Sequence, residues 1–215
     1  MSKSENGACM FLFDLPNPAI RIERILETID SSMPGGHAVV QIDNLRLPGD
    51  QMLGNSGEGF KYAHIRLSPA RLSHCRRWHG AVTRAQEVAT AYCCTRQAFG
   101  KTLIDHEGIG FQLAHNLIDL KQAELMTDWC ADVLDSGALG IIESSMAKAS
   151  VSQAWCRVAD RCVQVMGGTG VTGDTIVEQV FRELRAFRIY GGPTEVQNGR
   201  SQRTSSVITG SFINE

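Results

Sequence analysis

The stretch Trp78-His79-Gly80-Ala81-Val82-Thr83-Arg84-Ala85-Gln86-Glu87-Val88-Ala89-Thr90-Ala91-Tyr92 decides the architecture, because Trp78, Val82, Ala85, Ala89 and Tyr92 recur at alternating spacings of four and three. Side chains so spaced share one stripe of an α-helix, and that stripe must be buried. The pattern repeats downstream. Leu113, Leu117, Leu120, Met126, Cys130 and Val133 give the inward face of a helix predicted from about Ile109 to Asp135, closed by Ser136-Gly137. Ala147, Val151, Ala154, Val158, Cys162 and Val165 line another from about Ile141 to Met166, which stops at Gly167-Gly168. Val177, Val180, Phe181, Leu184 and Phe187 line a shorter one from about Thr175 to Arg188, and a weaker helix begins near Pro193. Upstream the texture changes. Short apolar runs at Cys9–Leu12, Ile20–Ile22 and Ala38–Ile42, broken by Pro16, Pro18, Pro34 and Gly35-Gly36, read as strands, and helix takes over after Gly54-Asn55-Ser56-Gly57-Glu58-Gly59. The expected fold is mainly α: a partial β segment followed by an antiparallel helical bundle.

At 215 residues the chain can bury one sizeable core, or a large and a small one. Its 43% hydrophobic and 20% charged residues suit a soluble globular protein. The 21 basic and 23 acidic residues nearly cancel to −2, which gives no reason to expect nucleic acid. A local cluster of Arg71, Arg76, Arg77 and Arg84 is suited to a phosphate-bearing small molecule. Seven cysteines are an odd number without a C-x-x-C pair, so neither a disulfide framework nor a zinc site is suggested, and reduced intracellular thiols are expected. The polar start Met1-Ser2-Lys3-Ser4 and the short Ala8–Phe13 run carry no signal h-region or membrane span. An intracellular location follows, cytoplasmic or mitochondrial.

Three motifs lie at helix ends. Arg96-Gln97-Ala98-Phe99-Gly100-Lys101 puts a guanidinium, an aromatic ring and a glycine turn within a few residues. That set suits a flat, pyrophosphate-bearing ligand, and equally an ordinary helix C-terminus with a cation and a glycine stop. Gln164-Val165-Met166-Gly167-Gly168-Thr169-Gly170 carries more glycines than one C-cap needs. Bare glycines let a ligand approach backbone amides, but the order helix-then-glycine excludes a phosphate loop, which needs strand, glycines, helix. Tyr190-Gly191-Gly192-Pro193-Thr194-Glu195 links two helices, with Pro193 suited to a first helical turn and Glu195 favoured near its amino terminus.

Taken together and in order, these motifs resemble the acyl-CoA dehydrogenase family, whose patterns R-x-x-F-G, Q-x-x-G-G-x-G and I-Y-x-G-[TP]-x-[EQ]-[IV]-Q fall at Arg96, Gln164 and Ile189. Asp43–Pro48 and Gly54–Phe60 are similar to the passage from the family's middle β domain into its carboxyl-terminal helical domain. Leu67-Ser68-Pro69-Ala70-Arg71 with His74-Cys75-Arg76 is similar to the branch that includes acyl-CoA dehydrogenase family member 11. The resemblance runs from about Ala8 to about Val207. It implies a remnant of the middle β domain over residues 1–57 and the helical bundle domain over 58–210. It also implies FAD as oxidant, an acyl-CoA thioester as substrate in fatty acid metabolism, and an oligomer. By the same resemblance, Arg96 and Phe99 lie against the FAD of a neighbouring subunit, and Gln164, Val165, Met166, Gly167 and Gly168 lie along its adenosine part. Pro193, Thr194 and Glu195 lie near the FAD, Ser68, Pro69, Ala70 and Arg71 face the acyl-CoA, and Gly192 borders the thioester. No metal is implied.

The resemblance also marks departures. Gly191 stands where the family places its catalytic Glu or Asp, and Ala70 stands where some members place the base instead, so no catalytic residue is assigned. A positioned general base contributes about 10²–10⁴-fold to rate. Glu195, four residues on, and His74, one helical turn beyond Ala70, are the substitutes available, each with a structural reading beside it. Glu107 replaces a frequent glutamine, and Pro193 a threonine. In the family an amino-terminal helical domain and the first half of the β domain precede the segment that corresponds to residue 1. The chain is therefore expected to be an acyl-CoA dehydrogenase-like flavoprotein component that needs a companion chain, a non-catalytic assembly subunit, or a truncated remnant.

Overall fold

The computed structural model describes residues 2–30 and 34–202; the expected bundle residues 203–210 lie outside it. The chain forms two compact units that meet between Leu67 and Ser68, beyond the change of texture at Gly57.

In the first unit, β1 (Ser2–Ser4), β2 (Gly7–Phe11) and β5 (Met52–Leu53) make an antiparallel sheet in the order β1-β2-β5. A separate antiparallel pair, β3 (Ile20–Leu26) and β4 (His37–Ile42), runs in register from Ile20↔Ile42 to Leu26↔His37 with an irregularity between Ile22 and Arg24. Strands β2, β3 and β4 fall on the three apolar runs picked out in the sequence, whereas β1 and β5 lie outside them. Helix α1 (Gly59–Thr95) begins in this unit and continues into the second with Pro69 inside it.

In the second unit α1 is followed by a hairpin of β6 (Gln97–Ala98) and β7 (Lys101–Thr102). Then come α2 (Glu107–Asp135), α3 (Ile141–Met166) and α4 (Ile176–Phe187), and residues 194–202 form a further helix, α5. The helix directions follow from who meets whom. Gln86 and Arg76 of α1 bond Asn116 and Asp128 of α2, so the later residue on one helix meets the earlier on the other. Cys156 and Lys148 of α3 likewise bond the carbonyls of Leu184 and Arg188, at the end of α4. These pairs are antiparallel, as the expected bundle requires. Thr175 caps α4, its Oγ1 accepting from Val177 N at 3.3 Å.

The core joins Trp78, Val82, Ala85 and Ala89 to Val151, Ala154, Val158, Cys162 and Val165 of the expected α3 stripe and to Val177, Val180, Leu184 and Phe187 of α4. Three expectations are corrected. On α2, Leu117 is 61% exposed whereas Asn116 and Asp119 are buried, so the inward stripe is Leu113, Asn116, Leu120, Ala123, Thr127 and Cys130. Polar residues enter the core there because their bonds are satisfied. Asn116 donates to Gln86 Oε1 at 2.7 Å, and Asp119 accepts from Arg157 Nη2 at 2.5 Å and Arg161 Nη1 at 2.7 Å. On the same helix Val133 is only partly buried and lies outside the core, whereas Met126, also partly buried, packs against it. On α4, Phe181 is 37% exposed and Glu183 is buried instead.

Candidate functional site

Two clusters of candidate residues lie at opposite ends of the bundle. From Arg71 to Thr95 the helix α1 rises about 36 Å at ~1.5 Å per residue.

At the first end, the turn Tyr190–Pro193 is gathered by buried side chains. Both glycines have positive φ, +70° at Gly191 and +103° at Gly192, so their carbonyls take directions that other residues rarely allow. Arg71 Nε donates to the Gly191 carbonyl at 3.1 Å and its Nη1 to Ser144 Oγ at 3.4 Å. Lys148 Nζ donates to the Gly192 carbonyl at 2.7 Å and to the Arg188 carbonyl, just past α4, at 3.1 Å. A cation is well placed at that helix end. Gln197 Nε2 donates to both Gly191 and Gly192, at 3.0 and 3.1 Å. Burial pushes the Lys148 ammonium down to about 8; the Cys75 thiol opposes this, and Arg71 and Arg188 add to it. Burial likewise lowers Arg71, with the Arg200 charge adding to the effect.

Of the residues expected to face acyl-CoA, Ser68 and Arg71 are buried, Ala70 and Gly192 are half-buried and Pro69 is exposed. Pro193 is half-buried, Thr194 is buried, and Glu195 is exposed beside them. His74 contacts the Phe187 and Tyr190 rings, and its Nδ1 accepts from Arg77 Nη2 at 2.9 Å. It packs as part of the bundle wall.

At the other end, α1 hands over to the β6–β7 hairpin, whose turn residues are Phe99 and Gly100, at φ +52° and +83°. A phenylalanine with positive φ is uncommon and costs of order 1 kcal/mol. Its ring is 96% exposed, held off the bundle with only an edge contact to His106 at 6.2 Å. Arg96 is exposed beside it. The glycine-rich end of α3 lies at this same end: Cys93 Sγ contacts the Val165 carbonyl at 3.8 Å and Thr169 Oγ1 bonds Tyr92 Oη at 3.4 Å. Gln164, Gly167 and Gly168 are exposed, with open space where a Cβ would stand at either glycine, whereas Gly170 packs 2.3 Å from the Val163 carbonyl by the same measure. Val165 and Met166 are core side chains, so only their backbone is available to a ligand. Exposed Glu107 opens α2 just after this hairpin.

The suggested cluster of arginines is not one site. Arg71 is buried, Arg76 pairs with Asp128, Arg77 lies over Trp78 and Arg84 pairs with Glu87. Sequence reading missed Lys148 and Gln197, both with no exposed surface. The signal for Lys148 was present: it falls on the stripe Ser144, Val151, Trp155, Val158 and Cys162, where a charge must find buried partners. Among the described residues there is no cluster able to hold a metal and no helix long and apolar enough to cross a membrane.

Comparison with known proteins matches residues 57–205 to the family model described as "Acyl-CoA dehydrogenase, C-terminal domain". Acyl-CoA dehydrogenase family member 11 of Rattus norvegicus is 31% identical over 191 residues, covering 87% of this chain and 24% of that protein. A Mycobacterium abscessus structure assigned to the acyl-CoA dehydrogenases superposes with a TM-score of 0.87 at 32% identity, over 94% of this chain and 50% of that one. PigA, solved with FAD and proline, shares the fold at a TM-score of 0.86 and 18% identity, over 92% of this chain and 51% of that one. The chain thus spans about half or less of the length of these relatives. Motif order, helical bundle and family match agree, and the chain belongs to the acyl-CoA dehydrogenase family.

Proposed function

We propose that this chain is the helical component of an acyl-CoA dehydrogenase-like flavoprotein, taking part with FAD in α,β-dehydrogenation of an acyl-CoA thioester. FAD, when bound, supplies the hydride acceptor. Arg96 and Phe99 hold its pyrophosphate and flat portions, and the exposed edge at Gln164, Gly167 and Gly168 lines its adenosine part. Pro193, Thr194 and Glu195 lie at the other end, with Ser68–Arg71 and Gly192 toward the acyl-CoA. The ~36 Å between the two ends is too long for one dinucleotide to span within one copy, so the cofactor is shared between copies of an oligomer. The carrying observation is Phe99: a strained, almost fully exposed aromatic beside an arginine and a bare glycine edge is a contact surface for a flat ligand. The proton acceptor and the remaining walls of the site come from a companion polypeptide, in an intracellular compartment, cytoplasmic or mitochondrial.

Gly191 favours a second reading, a non-catalytic subunit that keeps the cofactor contacts and builds the assembly. The two separate in one preparation. Protein isolated from its native source should be yellow, dimeric or larger, and reduce an electron acceptor with acyl-CoA under the first reading. Under the second it is yellow and oligomeric without turnover. A colourless monomer that takes up no added FAD overturns both.

A further inference from the structure

Arg71 and Lys148 are 2% and 0% exposed, yet their hydrogen-bond partners are neutral: the Gly191, Gly192 and Arg188 carbonyls and the Ser144 hydroxyl. Among the described residues neither forms an ion pair. The thiols of Cys75 and Cys156, raised by burial to about 12 and about 11, stay uncharged at neutral pH and give Lys148 no counter-charge, while Arg71 and Arg188 repel it and Arg200 repels Arg71. Buried cations left without a counter-charge are costly. Spare donors surround the same turn, since Arg188 Nε and Thr194 Oγ1 are buried without a hydrogen-bond partner. Gly191 meanwhile has open space on its side-chain side, with nothing within 4 Å of a built Cβ.

We infer that the Gly191 turn is a carboxylate-binding site, in which a ligand carboxylate occupies the side-chain space beside Gly191 and is held by Arg71, with the buried charge of Lys148 behind the turn favouring it. The guanidinium fork matches two carboxylate oxygens, and the ammonium adds a point charge. A space at a single Cα, on a turn whose carbonyls both cations hold, suits an acid on a short stem. The carboxylate comes from a small free acid or from the far end of an acyl group. The binding site stands independently of the flavin reading; only the second source rests on it.

Thermal unfolding of the purified chain at neutral pH tests this, with sodium acetate compared against sodium chloride at equal ionic strength. The midpoint should rise saturably with acetate and not with chloride. The rise should vanish in Gly191→Glu, which supplies its own carboxylate to the same space, and in Arg71→Gln; if the latter does not fold, Gly191→Glu carries the comparison. A second arm uses glutaryl-CoA against pentanoyl-CoA. A larger shift with glutaryl-CoA, with acetate inert, assigns the site to a ligand's terminal carboxylate, whereas an acetate response assigns it to a free acid. Acetate matching chloride together with equal shifts from the two thioesters overturns the inference, as does an acetate effect undiminished in Gly191→Glu. The acetate arm needs no flavin, so its failure is distinct from failure of the proposed function.

Discussion

Substituting alanine at Gly168 and at Gly170 separates folding from ligand approach within one motif. At Gly170 a Cβ would stand 2.3 Å from the Val163 carbonyl oxygen and 3.0 Å from two further Val163 backbone atoms. Backbone in a helix cannot step aside cheaply, so the substitution forces a shift of the Gly167–Val171 turn against α3. Overpacking of this kind costs about 1–3 kcal/mol, and a helical unit of this size loses about 2–4 °C per kcal/mol, so the melting midpoint should fall by roughly 2–12 °C. At Gly168 nothing lies within 4 Å and no positive φ is required. Alanine there restricts the unfolded chain and should add about 0.4–1 kcal/mol. If a cofactor lies along this edge, the added methyl obstructs it, and the better-folded variant should retain less flavin. Circular dichroism melts paired with flavin released per chain read both quantities. Equal destabilisation by the two alanines, or a Gly168→Ala protein that melts higher and keeps all its flavin, refutes the reasoning.

Gly191→Glu places a carboxylate at the family's base position at a strain of about 1–2 kcal/mol, because φ there is +70°; in the complete assembly turnover should rise by about 10²–10⁴-fold, and unchanged turnover removes Gly191 as the cause of low activity. Asp119→Asn leaves Arg157 and Arg161 with a neutral partner in place of a carboxylate that these two arginines hold below its ordinary range against the opposing effect of burial. Because the Arg157 side chain is half exposed, the loss should be about 2–3 kcal/mol, below the value for a fully buried pair, read from urea unfolding. Alkaline pH should unfold the bundle. Burial raises Cys75 and Cys162 to about 12 and Cys130 and Cys156 to about 11, so from about pH 9 upward the unfolded chain releases protons that the folded chain keeps, and stability falls. Lys148, depressed to about 8, works in the opposite sense between there and its ordinary ~10.4, but it is one group against four; urea midpoints that do not fall between about pH 9 and pH 10.5 contradict this.

Much of the bundle was legible because burial follows periodicity. The expected α3 limits, Ile141 and Met166, are those observed, and every expected inward residue of that helix is buried. On helix α2 apolarity alone points Leu117 inward. The structure buries Asn116 and Asp119, whose partners Gln86, Arg157 and Arg161 come from other helices and leave no local trace. For the same reason Gln197 and the carbonyls it gathers were invisible: side-chain bonds to a turn have no sequence period. The Phe99–Gly100 turn was legible as a motif, but whether its ring would be packed or displayed was set by the hairpin backbone.

The most direct measurement is FAD affinity of the assembled protein with Phe99→Gly beside the unaltered chain. Glycine accepts the positive φ, so the fold should be as stable or slightly more so, while loss of the displayed ring should weaken FAD about tenfold, the equivalent of ~1.4 kcal/mol. Unchanged affinity in a folded Phe99→Gly assembly would contradict the account.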